Sequence, residues 1–493
     1  MVIADIASNS KRSSAHRTQT VKLRFAIIIA SSIIACSSAP AAQPANRAQP
    51  NIDEGLQRDI VQPESRPHRG QLFTQWAGDV NPQNPLPEYP RPQMVRERWQ
   101  NLNGFWQYAI RGKEAEQPNE WDGRILVPFA AESLLSGVAR RVGARKTLWY
   151  RRTFDVPDEW RDDRVLLHFG AVDWEATVWV NGKKLGSHRG GYDPFSLDVT
   201  DVLRDDGAQK IVVSVWDPTN EGPQPRGKQT KTPGGIWYTP VTGIWQTVWL
   251  EPVPQASINR LKIVPDVGDR TVRITAETDG ANANHRIELE VNGVSRINEQ
   301  APSPQLRASG KTGEPISLML GAEARLWSPS SPWLYEFDAV LVDTRNNKPL
   351  DHVRSYFGLC ESKLGRDKHG IDRLFLNGQP LFQLGPLDQG WWPDGLYTAP
   401  TDEALRYDIE VTKQLGFNMA RKHVKVEPAR WYYWADKLGL MVWQDMPHGM
   451  QGDGRGANHV MNDMPDLTLP NDARQTFRRE LKAMIDALHN HPS

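Results

Sequence analysis

The hydrophobic period changes once along this chain, near residue 365, and that change limits the folds it can adopt. Before it, apolar residues recur at every second position in short runs that end in turn residues. After it, short apolar runs alternate with segments whose apolar residues recur every three or four positions. The first pattern predicts antiparallel β-sheet, and alternation of strand with helix predicts a parallel sheet. We therefore predict a multidomain, mainly β protein with an α/β portion at its C-terminal end.

The antiparallel pattern is clearest in residues 173–182. Apolar side chains occupy the even-numbered positions from Trp174 to Val180, and Asn181-Gly182 follows. That pair accepts the positive φ angles of a tight hairpin turn. Similar runs without a long helical period predict a β-sandwich up to about residue 253.

Composition and period together divide the chain into five predicted segments. A stretch rich in Ala, Pro, Gln and Ser (residues 37–70) predicts a tether. Two prolines, Pro252 and Pro254, predict a joint between two sets of strands. The second set, of about seven strands in about a hundred residues, has the size of an immunoglobulin-like sandwich. The predicted segments are a signal region (1–42), a flexible tether (43–75), a β-sandwich (76–254), an immunoglobulin-like β-sandwich (255–360) and an α/β portion (361–493).

The α/β portion is predicted to begin with a hairpin over residues 374–384. Asn377-Gly378 would form its turn. Three strand–helix units follow, and the last helix is predicted over residues 471–488, with an apolar stripe. That stripe contains Phe477, Leu481, Met484, Ile485 and Leu488.

The N-terminal residues predict export. Lys22 and Arg24 precede an apolar run, residues 25–35, that is too short for an ordinary membrane helix and is typical of a secretory signal. Cys36 follows that run as in a bacterial lipobox, which predicts lipidation and membrane anchoring in the periplasm or outer membrane. Small residues at 39–41 fit ordinary signal cleavage and secretion instead.

The sequence also leaves undecided at which residue translation of the natural protein begins. Residues 1–20 form a long polar lead, and Val21 would begin a signal of ordinary length. We therefore expect translation to begin either at Met1 or at Val21, and mapping of the N-terminus decides between them.

The balance of charge bears on the partners. Lys+Arg and Asp+Glu both number 59, without a long block of either sign, which argues against nucleic acid. The 19 Trp residues serve either as sandwich core or as flat surfaces for sugar rings. His448 and His459 lack further ligands at a recognisable spacing, so we predict no metal and no cofactor.

Polar and aromatic residues follow the predicted parallel strands. In parallel β/α barrels, the residues at the carboxyl ends of the strands form the active site. A buried ion pair between Arg421 and Asp445 that holds the barrel mouth is the structural alternative for that pair. Core packing is the alternative for the two tryptophans. The candidate substrate-binding residues are Asp388, Gln389, Trp391, Trp392, Arg421, His423 and Asp445.

Several stretches together resemble family 2 glycoside hydrolases, the group of the β-galactosidases, β-glucuronidases and β-mannosidases. The similarity covers residues 76–493 in the domain order of that family. The stretches that carry it are residues 99–106, 125–129, 168–200, 235–245, 326–335, 415–421 and 436–447.

The resemblance implies a jelly-roll-like sugar-binding sandwich, an immunoglobulin-like sandwich and the first three units of an incomplete (β/α)8 TIM barrel. It implies a carbohydrate partner and hydrolysis of β-glycosides with retention, which needs two carboxyl groups about 5–5.5 Å apart. In the family, glutamates at the ends of strands four and seven do this work. We expect both beyond Ser493, nominate no catalytic residue, and expect the 493-residue chain to be inactive alone.

Two differences from the usual residues of the family leave the identity of the sugar undecided. Gln389 stands where many family members have histidine, and His423 lies one position earlier than in their usual motif. A noncatalytic carbohydrate-binding surface lipoprotein is the alternative function. A split enzyme, with the remaining strands on another chain, is a third.

Overall fold

A computed structural model describes residues 72–205, 207–302, 305–448 and 470–493. The predicted signal region, most of the predicted tether, Cys36 and His459 lie outside these residues. Within the described ranges, no helix is both long and apolar enough to cross a membrane.

The first sandwich consists of two antiparallel sheets. One has the order β1-β12-β5-β9, the other has the order β3-β2-β4-β10-β7-β8, and β6 pairs with β11. The strands are β1 Gln100–Asn101, β2 Gly104–Gly112, β3 Gly123–Val127, β4 Lys146–Phe154, β5 Arg164–Phe169, β6 Val172–Asp173, β7 Glu175–Val180, β8 Lys183–Arg189, β9 Phe195–Asp198, β10 Gln209–Trp216, β11 Gly243–Ile244 and β12 Val248–Val253.

The predicted alternation in β7 is confirmed. Its buried residues are Ala176, Val178 and Val180, which join the core between the two sheets. Asn181 and Gly182 have φ angles of 50° and 84° and turn the chain into β8. The period of two therefore positions one face of the strand against the core.

The second sandwich is also antiparallel. One sheet has the order β13-β14-β18, and the other has the order β16-β15-β21-β22 with β17 paired to β15. Its strands, with the short pair β19-β20, are β13 Ser257–Asp266, β14 Thr271–Asp279, β15 His285–Arg296, β16 Glu299–Ala301, β17 Leu306–Lys311, β18 Pro315–Met319, β19 Trp327–Ser328, β20 Ser331–Pro332, β21 Leu334–Asp343 and β22 Lys348–Phe357.

The α/β portion begins with an antiparallel sheet and continues as a parallel one. The parallel sheet has the order β26-β27-β28, with a helix after each strand. The mainly β architecture with an α/β portion is thus confirmed. The elements are β23 Ser362–Arg366, β24 Asp372–Leu376, β25 Gln379–Pro380, β26 Leu387–Asp388, α1 Asp402–Gln414, β27 Met419–Lys422, α2 Ala429–Leu438, β28 Met441–Gln444 and α3 Asn471–Leu488.

Local chemistry sets the ends of these helices. The Thr401 hydroxyl accepts a hydrogen bond from the Ala404 amide at 3.2 Å and caps α1. Gly439 ends α2 with a φ of 76°, a conformation that glycine adopts without a Cβ clash.

The buried face of α3 differs from the predicted stripe. Ile485 is 53% exposed, and the fully buried residues of the helix are Ala473, Thr476 and Glu480. The reason is the contact with the first sandwich, where the Trp174 indole donates to Glu480 Oε1 at 3.1 Å. Met484 and Leu488 pack, partly buried, against the core of the α/β portion.

One apolar cluster joins the first sandwich to the α/β portion. It contains Tyr192 and Trp245 from the sandwich and Tyr397 and Trp431 from the α/β portion. The Trp245 and Tyr397 rings lie 5.2 Å apart. This shared core places loops of the sandwich beside the carboxyl ends of the parallel strands.

Candidate functional site

The carboxyl ends of the parallel strands form one edge, which we call the mouth. Strand β26 ends at Asp388, β27 at Lys422 and β28 at Gln444. The register pairs Asp388 with Lys422 and Lys422 with Gln444, so these residues are direct neighbours. The predicted site residues on this edge are therefore brought together, as expected for a parallel sheet.

Two buried lysines and two carboxylates form the floor of the mouth. Lys422 Nζ lies 2.6 Å from Asp388 Oδ2 and 2.9 Å from Glu427 Oε1. Lys425 Nζ lies 2.9 Å from Glu427 Oε1 and also donates to the Gly390 carbonyl at 2.6 Å. Both lysine side chains are 1% exposed. Asp388 is thus held as a structural anion.

The pKa values in this floor follow from burial and pairing. Burial raises the pKa of Asp388, but Lys422 outweighs it and holds that pKa below its ordinary value. Burial lowers the pKa of Lys425 to about 8, although Glu427 opposes the shift. Asp388 is therefore ionised at neutral pH, whereas Lys425 can lose its proton under mildly alkaline conditions.

Lys422, Lys425 and Glu427 were not predicted as site residues. Lysine and glutamate are almost never fully buried unless paired, so the sequence alone places them on the surface. One signal was present: Lys422 stands two positions after the buried Ala420 on β27, on the same face of the strand.

Arg421 and Asp445 form a bidentate ion pair above this floor. Arg421 Nε lies 3.0 Å from Asp445 Oδ1, and Nη2 lies 2.9 Å from Oδ2. The pair is accessible, because the Arg421 side chain is 48% exposed. The predicted ion pair between Arg421 and Asp445 therefore forms, but it is not buried. The N–H groups of Arg421 that do not bond to Asp445 still face solvent.

His423 stands beside this pair. Its Nε2 lies 3.9 Å from Asp445 Oδ2, and its buried Nδ1 has no hydrogen-bond partner within the described residues. Burial lowers the pKa of His423, so the ring is neutral at pH 7. A neutral imidazole can either donate to or accept from a ligand hydroxyl.

The remaining predicted site residues differ in how accessible their side chains are to a ligand. Trp392 is 8% exposed and packs edge-on against Trp76, with ring centroids 5.9 Å apart, so it belongs to the core. Trp391 is half-buried beside Tyr238, at a centroid distance of 4.8 Å. Gln389 Oε1 is buried and has no partner in the part of the chain that the structure describes. Trp391 is therefore the better placed of the two tryptophans for stacking on a ligand.

A loop of the first sandwich completes the mouth. The amides of Arg226 and Gly227 donate to the His448 carbonyl at 3.0 and 2.7 Å. The charge of Lys228 is close enough to lower the pKa of His423, in addition to burial. Sequence reasoning missed these residues because the loop has no period, and its approach to the strands depends on how the domains pack.

Models of two domains from one protein family match this chain. Residues 138–237 match the model described as "Glycosyl hydrolases family 2, sugar binding domain". Residues 256–359 match the model described as "Glycosyl hydrolases family 2". The first match falls within the first sandwich, and the second spans all strands of the second sandwich.

Curated relatives extend the similarity into the α/β portion. A β-galactosidase of Thermoanaerobacter pseudethanolicus is 25% identical over 402 residues, which are 80% of this chain and 50% of that protein. A β-glucuronidase of Bacteroides fragilis is 24% identical over 404 residues, 80% of this chain and 54% of that protein. The chain thus spans about half the length of the curated relatives it matches.

Solved structures have the same fold. A β-glucuronidase from Ruminococcus gnavus, in complex with D-glucuronic acid, matches with a TM-score of 0.64 and 20% identity, covering 83% of this chain and 67% of that one. A β-glucuronidase of Bacteroides uniformis matches with a TM-score of 0.59 and 23% identity, covering 80% and 46%.

Proposed function

We propose that this chain, whose two β-sandwiches match domain models of glycosyl hydrolases family 2, forms the sugar-binding side of a β-glycosidase active site. The observation that carries the proposal is the convergence at the mouth. Strand ends of the α/β portion supply Arg421 and Asp445, and the first sandwich supplies the loop with Lys228. The domain models and the glycosidase relatives support the same class of ligand.

Each accessible group has a role in this proposal. Arg421 and Asp445 exchange part of their ion pair for hydrogen bonds to sugar hydroxyls. The half-buried ring of Trp391 stacks on the apolar face of the sugar. The unpartnered Gln389 Oε1 and His423 Nδ1 form hydrogen bonds with further sugar hydroxyls. These bonds remove the free-energy cost of leaving buried polar atoms unsatisfied.

The catalytic carboxyl groups are, in this proposal, not among the mouth residues described above. Retaining hydrolysis needs a nucleophile and an acid of raised pKa, about 5–5.5 Å apart. Asp388 and Glu427 are each held by a lysine, and Asp445 is held by Arg421. We therefore propose that residues 1–493 bind β-glycosides without turning them over.

Titration calorimetry of the full chain with aryl β-D-galactoside, β-D-glucuronide and β-D-mannoside tests this proposal. We expect saturable binding of at least one. Arg421→Gln and Trp391→Ala should each weaken it about tenfold, which is about 1.4 kcal/mol. The exposed Arg366→Gln serves as the matched control and should change nothing. Turnover of any of these glycosides would contradict the proposed inactivity, and absence of binding would contradict the site.

We propose further that the protein is exported and anchored through a lipid on Cys36. The support is the charged start, the apolar run and the cysteine in residues 22–36. Mass spectrometry of the mature N-terminus should find lipidated Cys36, and Cys36→Ser should abolish the lipid. An unmodified N-terminus after residue 41 would show ordinary secretion instead.

A further inference from the structure

A cavity of about 410 Å³ lies between the second sandwich and helix α2. Strands β21 and β22 form one wall, and α2 and the segment before β1 form the other. Helix α2 returns the chain from the mouth to the start of β28, so its last turns lie toward the opposite end of the parallel strands. This volume is in the range of small-molecule sites. The lining residues used below are Arg354, Tyr356, Tyr433 and Lys437.

Two cations of this cavity have no charged partner. Among the described residues, Arg354 has only backbone hydrogen bonds, including those to Val95, and Lys437 contacts only the Tyr433 ring, so neither side chain forms an ion pair or a hydrogen bond there. Arg354 lies across from Asp338 in the sheet register. The Asp338 carboxylate is already engaged by His352 Nε2 at 2.5 Å and by the Asn292 amide. The two cations are therefore available to an anion.

Aromatic rings face the same space. The Tyr433 ring lies 5.7 Å from the Tyr356 ring, and Lys437 Nζ lies 5.3 Å from the Tyr433 ring centroid. Flat rings beside cationic groups match the surfaces of a charged sugar.

We propose that this cavity is a second carbohydrate site, which binds an anionic saccharide. The acidic group lies between Arg354 and Lys437, and the sugar ring rests against Tyr433. A uronate and a sulfated sugar share this chemistry. The proposal is independent of the function proposed for the mouth, because no lining residue used here belongs to the mouth.

Titration of the full chain with sodium D-glucuronate, D-glucose 6-sulfate and D-glucose tests the proposal. We expect saturable binding of one or both anions, weakened by added salt, and much weaker binding of glucose. Binding of glucuronate alone would identify a carboxylate site, and binding of the sulfate alone would identify a sulfated ligand. Equal binding of glucose, or no saturable binding of either anion, would show a solvent-filled gap between domains and overturn the proposal.

Matched variants locate the binding. Arg354→Gln and Lys437→Gln should each weaken the anion about tenfold, equivalent to about 1.4 kcal/mol. Lys348→Gln, an exposed cation at the other end of β22, should leave it unchanged. Unchanged thermal unfolding shows that each variant is folded. Loss of binding in Arg421→Gln with retention in both cavity variants would overturn the proposal.

Discussion

At the scale of single residues, buried charge determines the floor of the mouth. Lys422 and Lys425 are buried, and Asp388 and Glu427 hold their ammonium groups. Two ammonium groups share one Glu427 oxygen, so that carboxylate compensates more than one charge. Burying an ion pair contributes little net stability, but removing one partner leaves an uncompensated charge and is strongly destabilising.

Glu427→Gln should therefore lower the free energy of unfolding by about 3–5 kcal/mol, because Lys422 and Lys425 lose their shared counterion. Loss of the Glu427 charge should lower the pKa of Lys425 further below about 8, so Lys425 should release its proton more readily. Urea unfolding measures the change. The matched control is Glu410→Gln, which breaks only the Arg406–Glu410 pair on the surface of α1 and should cost about 0.3–0.5 kcal/mol. Equal effects of the two substitutions would show that the buried cluster has no special role.

Glu480 makes the stability of the fold depend on pH. Burial raises its pKa to about 8 from an ordinary 4.5, and the Asp193 charge adds to the shift. Between these values the folded chain binds more protons than the unfolded chain, so this residue lowers the stability as pH rises from about 4.5 to about 8.

Glu480→Gln keeps a neutral acceptor for the Trp174 indole and removes this titration. The variant should become more stable than the wild type as the pH rises from 5 to 8.5, by a few kcal/mol at most, since one pKa unit is about 1.4 kcal/mol. Thermal unfolding across that range gives the difference. Glu323→Gln, at an exposed position, should show no such trend. A constant difference between wild type and Glu480→Gln would mean that Glu480 is ionised in the folded chain.

At the scale of elements, the end of α3 is fixed by one side chain on a strand edge. Asn490 Nδ2 donates to the Leu261 carbonyl at 2.7 Å, and the Ile263 amide donates to Asn490 Oδ1 at 2.9 Å. The amide group thus bonds to β13 as a neighbouring strand would. It ties the α/β portion to the second sandwich.

Asn490→Ala should destabilise the protein by about 1–3 kcal/mol, because it leaves a strand carbonyl and a strand amide without partners. Hydrogen exchange should also become faster at the Ile263 amide. Asn259→Ala on the same strand is the control, since its side chain is exposed and its bond to Asp279 is long, at 3.4 Å. Slow exchange at Ile263 in Asn490→Ala would contradict this role.

The elements themselves were largely predictable because local signals set them. The helix predicted over residues 471–488 has these bounds in the structure, and both Asn-Gly turns form hairpins. The buried face of α3 was not predictable. Glu480 points inward because Trp174, far away in the sequence, offers it a hydrogen bond. Periodicity reports apolar faces and does not report a polar group that a distant partner buries.

At the scale of the whole molecule, the mouth depends on two domains. The strand-end residues Arg421 and Asp445 were predictable, because every parallel strand ends on the same edge. Lys228 was not, since its place beside His423 depends on the apolar core that joins the first sandwich to the α/β portion. The burial of Trp392 against Trp76 has the same kind of cause, a contact between residues far apart in sequence.

The central claim is that strand ends and sandwich loop together bind a β-glycoside. A crystal structure of the full chain with a bound aryl β-glycoside tests it most directly. We expect a sugar within hydrogen-bond distance of Arg421 or Asp445, with its apolar face on Trp391 and the Lys228 loop on its other side. A sugar bound elsewhere, with the mouth empty and the Arg421–Asp445 ion pair untouched, would contradict it.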